Sequence, residues 1–111
     1  NTLTAVYYPK GVNGSALLKK MSDKDVIIAG GLLPKLKTTY FRIGHMGSVS
    51  SSDLVTVLSA LESALLELGH HVDQGKALQS FHDSLTQWCN LKSYKKFHIF
   101  EVLITQWTFW I

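Results

Sequence analysis

A chain of 111 residues with 46% apolar and 17% charged side chains suits one globular domain and excludes wholesale disorder. Its net charge of +3, spread along the chain rather than bunched, is too weak to point to nucleic acid. Cys89 is the only cysteine, so an intrachain disulfide is excluded and secretion gains no support.

The chain opens Asn1-Thr2-Leu3-Thr4, with no initiator methionine and no signal-like segment, which we expect of a piece of a longer or processed product. Leu3 to Tyr8 is rich in β-branched and aromatic residues and stops at Pro9, as a strand does. Gly11, Asn13 and Gly14 form a loop. Asn13 or Ser15 then caps a short helix with Leu17, Leu18 and Met21 on one side. Ser22-Asp23-Lys24-Asp25 breaks that helix. The apolar run Val26 to Ala29 fits a short buried strand.

Gly30-Gly31 permits a positive φ or a close backbone approach, and a plain turn satisfies the same residues. Pro34, Lys35, Lys37 and Thr38 mark a surface loop returning into a strand over Tyr40–Gly44, antiparallel to Val26–Ala29. Further on, Ser50 and Asp53 make a capping-box variant. Leu54, Val57, Leu58, Leu61, Leu65 and Leu68 recur at helical spacing until Gly69, which predicts the main helix, Asp53–Leu68, lying on the sheet.

His70 and His71 are adjacent, so their side chains diverge and suit a helix end better than a metal. Asp73 is placed to cap a second helix with Leu78, Phe81, Leu85 and Trp88 on its apolar face. Residues 88–111 differ in character: Lys92, Lys95 and Lys96 precede an aromatic-rich run, and all three tryptophans lie after position 87. Such a tail fits an interfacial segment, but it is too short, and carries Glu101, to span a membrane. The expected architecture is a two-layer α+β domain over residues 1–87: about three mostly antiparallel strands covered by helices on one face.

Arg42 is the only arginine in the sequence. Alternation puts Tyr40, Arg42 and Gly44 on one face of their strand and Phe41 and Ile43 on the other. A guanidinium on a rigid strand can grip a carboxylate or phosphate through two parallel hydrogen bonds, although from spacing alone an ordinary half-exposed arginine on an edge strand, paired with a local Asp or Glu, is the commoner case.

Ala29-Gly30-Gly31-Leu32, the lysine-bearing loop and Tyr40-Phe41-Arg42-Ile43-Gly44-His45-Met46-Gly47 resemble the C-terminal part of the class V pyridoxal-phosphate aminotransferases. The likeness is strongest to their fungal alanine–glyoxylate (serine–pyruvate) group and runs from about Asn1 to about Leu85. It implies that Arg42 clamps the substrate's α-carboxylate and that Gly30 and Gly31 lie in a loop near the substrate. His45 and Met46 then only shape the turn.

The resemblance further implies pyridoxal 5'-phosphate as cofactor, amino acids and 2-oxo acids as substrates, and a homodimer. The cofactor-bearing lysine, the aspartate facing the pyridine nitrogen and the phosphate-binding groups belong to a preceding large domain, so this chain by itself is expected not to transaminate. The family occurs in peroxisomes, mitochondria and cytosol; no terminal Ser-Lys-Leu is present. Without the resemblance, the same residues suit a non-catalytic α/β module in which Arg42 holds an acidic ligand or a partner's carboxylate.

Overall fold

The computed structural model describes the backbone of residues 3–90 and the side chains of 3–86. Strand β1 (Leu3–Tyr7) leads into helix α1 (Gly14–Ser22), a two-residue strand β2 (Ala29–Gly30), a 3-10 turn (Pro34–Leu36) and strand β3 (Tyr40–Gly44). Helices α2 (Ser51–Glu67) and α3 (Lys76–Asn90) follow. The sheet order is β1-β3-β2, with β3 in the centre and antiparallel to both neighbours. This is the expected α+β layer pair.

Helices α1 and α2 form where their caps and apolar spacing dictate. The Asn13 side chain accepts the N–H groups of Ser15 and Ala16, and Leu17 and Met21 are fully buried one turn apart. At α2 the Ser50 hydroxyl accepts from the Asp53 N–H, while the Asp53 carboxylate accepts from the Ser50 N–H and hydroxyl. That reciprocal box lowers the Asp53 pKa, chiefly through the Ser50 backbone hydrogen bond. The helix ends in a Schellman arrangement: Gly69 N–H donates to Leu66 O, His70 N–H to Leu65 O, and Gly69 takes φ +79°.

The core lies between the sheet and α1 and α2. Phe41, Leu17, Met21, Leu61 and Leu65 are its largest fully buried side chains. Burying each contributes about 1.5–3 kcal/mol before the entropy of ordering is subtracted. Small residues make the close packing possible: Ala60 and Ala64 face the core beside Leu61 and Leu65, and a Cβ on Gly14 would run into the Tyr8 ring. Leu54, Val57, Leu58 and Leu68, which share the expected stripe, are only partly buried.

Two local expectations change, and a third, the either-or reading of Gly30-Gly31, is narrowed. The strand expected over Val26–Ala29 is displaced to Ala29–Gly30, because Val26 is held by its N–H to Met21 O and Ile27 turns outward, 90% exposed. Asp25, at φ +58°, makes the left-handed turn that sends Val26 back to the core. Asp73 does not cap α3. Its carboxylate pairs with Lys76, and the N–H groups of Gly75 and Ala77 donate instead to the buried carboxylate of Glu62, each at 3.0 Å. Finally, neither Gly30 nor Gly31 has a positive φ.

Ala77 and Phe81 are buried on α3, while Leu78 and Leu85 are half-buried. The Trp88 side chain and nearly all of the basic, aromatic tail lie outside the described residues. Among the described residues no helix is long and apolar enough to cross a membrane.

Candidate substrate-carboxylate site

The two faces of β3 part company at Arg42. Phe41 and Ile43 point into the core, while Tyr40, Arg42 and Gly44 stand on the opposite, open face. The register places Ala5 of β1 and Ala29 of β2 directly across from Arg42 on its two sides. Gly44, the next same-face residue along β3, carries no side chain. Arg42 therefore rises from a clearing of small residues, bounded along the strand by the Tyr40 ring, which meets the Tyr7 ring edge-on at 6.5 Å.

The Arg42 side chain is partly buried, and its Nε–H donates to Gly30 O at 2.9 Å. Among the described residues no carboxylate lies within ion-pair distance of it. Three of the acids are engaged elsewhere: Glu67 holds Lys20 and Lys24, Asp73 holds Lys76, and Glu62 caps α3.

The loop from Gly30 to Tyr40 is tightly built. A Cβ on Gly31 would sit 2.7 Å from Leu36 O and 2.9 Å from Tyr40 Cε1, so glycine is required by close approach of the chain to itself. Leu32 N–H donates to the Tyr40 hydroxyl at 3.0 Å, and the Thr39 hydroxyl donates to Leu36 O at 2.8 Å. At the far end of β3, His45 Nε2 lies 2.9 Å from Thr4 Oγ1, tying the strand's exit to β1. Burial lowers the His45 pKa, favouring the neutral ring at pH 7.

The structure thus brings Arg42 and Gly30 into contact, with Gly31 underneath the same loop. Met46 is exposed, and Gly47 turns the chain at φ +77°. Sequence reading did not anticipate the Ala5 and Ala29 flanks or the role of the Gly30 carbonyl. The alternation of each strand could have placed both alanines on the arginine's face, but only pairing sets them opposite it.

The described lysines do not fit a cofactor-bearing role. Lys20 and Lys24 are paired with Glu67, Lys76 with Asp73, and Lys10, Lys19, Lys35 and Lys37 are exposed. Lys10 borders an open hollow with Tyr7, Tyr8 and Pro9 but is itself exposed, so none of them is desolvated as an activated lysine amine is. Among the described residues no three His, Cys, Asp or Glu side chains gather as metal ligands would.

Relatives share this segment. The chain is 36% identical over 73 residues to an uncharacterized aminotransferase of Methanocaldococcus jannaschii, covering 66% of this chain and 19% of that protein. It is 32% identical over 78 residues to a serine–glyoxylate aminotransferase of Arabidopsis thaliana, covering 70% and 20%. A third relative, the small subunit of a soluble hydrogenase of a Synechococcus strain, is 42% identical over 69 residues, covering 61% and 17%.

The crystal structure of the ureidoglycine–glyoxylate aminotransferase of Bacillus subtilis superposes with a TM-score of 0.68 at 31% identity. That match covers 74% of this chain and 21% of that one. No protein-family model matches the chain. These relatives are archaeal, plant and bacterial and lend nothing to the fungal part of the resemblance. The chain spans about a fifth of the length of the relatives it matches, and over that fifth it is a small-domain segment homologous to the aminotransferases, as the class V resemblance implied.

Proposed function

We propose that this segment supplies the substrate-carboxylate arginine of a pyridoxal-phosphate-dependent aminotransferase that moves an amino group between alanine or serine and glyoxylate or pyruvate. One observation carries the reading. Arg42 stands on the open face of the central strand, flanked by two alanines, with no described carboxylate to neutralise it. A guanidinium so placed takes an incoming carboxylate through paired, charge-assisted hydrogen bonds and fixes the orientation of the bond to be broken. The names of the plant and Bacillus relatives both include glyoxylate, which supports a small 2-oxo acid as amino acceptor.

Pyridoxal phosphate would supply the electron sink, held by residues outside those described here, and the full protein would work as a dimer. The part played by this chain is to bind and orient the acid group.

The test is Arg42→Lys in the protein that contains this segment and its cofactor. Lysine keeps the charge but loses the planar fork, so KM for the amino acid rises and kcat/KM falls by roughly tenfold or more. Cofactor absorbance stays as in the parent. An unchanged KM for alanine and serine would remove the arginine from substrate binding and leave the segment as a non-catalytic binding module.

A further inference from the structure

Resting on the carboxylate reading of Arg42, we infer that the Gly30 carbonyl is the positioning group of the site. It occupies the guanidinium's Nε–H, so an incoming carboxylate is taken end-on, by the two Nη nitrogens.

A guanidinium offers a carboxylate two bidentate edges: Nε with one Nη, or the two Nη together. In this structure the first edge is already committed, since Nε donates to Gly30 O at 2.9 Å in a partly buried setting. A side-on approach would break that bond and leave a carbonyl on the rim of the site unpaired. The end-on edge requires no such loss.

The backbone around that carbonyl is confined from three directions. Gly30 pairs with Phe41 in the sheet, so its backbone is registered against the same strand that carries Arg42. On the helix side, a Cβ on Gly30 would meet Leu18 Cδ1 at 3.3 Å, so α1 closes off that side of the backbone. On the loop side, Gly31 lies beneath Leu36 O and the Tyr40 ring, and Leu32 N–H is fastened to the Tyr40 hydroxyl. Tyr40 is two residues from Arg42 on the same face. One short loop therefore sets both the wall beside the guanidinium and the plane in which it lies.

The ligand class follows from the small flanks. Ala5 and Ala29, across from Arg42 in the sheet register, set no long side chain beside it, and Tyr40 stands on the same face of β3. Small monocarboxylates with the acid group at one end fit this opening.

The experiment uses the whole chain, uniformly labelled with 15N. Because Arg42 is the only arginine, its Nε–H gives one assignable signal and its Nη groups another set. In the free chain the Nε–H signal should exchange with solvent more slowly than that of free arginine. On titration with acetate, and separately with glyoxylate, the Nη signals should shift and separate while the Nε–H signal stays nearly in place.

An Nε–H that exchanges at the free-arginine rate, or one that moves as much as the Nη signals, overturns the inference while leaving the carboxylate reading intact. A protected Nε–H with no guanidinium response to either acid overturns both. In Gly31→Ala, the added Cβ must push the loop, so Nε–H protection falls and the acetate dissociation constant rises about tenfold. Protection and affinity unchanged in a folded Gly31→Ala chain would show that the loop does not position the arginine.

Discussion

The two faces of one short sheet obey different rules. On the inner face Val6, Phe41 and Ile43 are 2%, 1% and 8% exposed and meet α1 and α2. On the outer face Leu3 and Tyr7 stand 44% and 73% exposed around a partly buried arginine. Adjacent residues of β3 thus differ completely in their surroundings, and a shift of register by one would exchange them. The inner face holds the fold together; the outer face carries Arg42 with no described carboxylate beside it.

If that division is real, mutations should sort by face. The largest loss is expected for Phe41→Ala, at about 3–5 kcal/mol, enough to unfold a marginal domain. Urea unfolding followed by circular dichroism reads it, and a loss below about 1 kcal/mol would dissolve the distinction between faces.

Glu62→Ala comes next. It strips the buried carboxylate from the N–H groups of Gly75 and Ala77, costing about 1–3 kcal/mol. Hydrogen exchange at those two amides should accelerate before that of the sheet does, since α3 depends on this cap.

A smaller and pH-dependent effect belongs to Glu67, whose pKa is lowered to about 2, first by its hydrogen bond to Lys24 and then by Lys20. The folded value lies below the unfolded one. The stabilisation is therefore fully present above about pH 4.5 and is lost as pH falls toward about 2. Glu67→Gln should flatten the urea midpoint across that window and leave its shape near neutrality unchanged. Because the pair is exposed, the effect is modest.

Smallest of all is Ile27→Thr. Despite sitting beside buried Val26, Ile27 is 90% exposed, and its replacement should change stability by no more than about 0.5 kcal/mol. A larger loss in thermal unfolding would mean that the outer side of the molecule is packed after all.

Much of this was legible from local patterns. Asn13, the Ser50–Asp53 box and Gly69 announce helix ends because capping is settled within a few residues. The alternation around Arg42 announces its face because strand geometry has a period of two. The misreadings arose where a partner lies far along the chain. Asp73 has the right chemistry and spacing for a cap, yet a carboxylate from the middle of α2 reaches those amides first. Val26–Ala29 reads as a buried strand, but Asp25's left-handed turn and the edge position of β2 leave Ile27 facing out.

What the amino-acid order determined by itself was most of the elements, the caps of α1 and α2 and the side of β3 on which its one arginine stands, since each depends on residues within a turn or two. Only the tertiary structure decided that alanines flank that arginine, that the Gly30 carbonyl holds its Nε, and that Glu62 begins α3. Those contacts join residues 12 to 37 positions apart, and no local rule can choose among partners that folding alone brings within hydrogen-bond or side-chain reach.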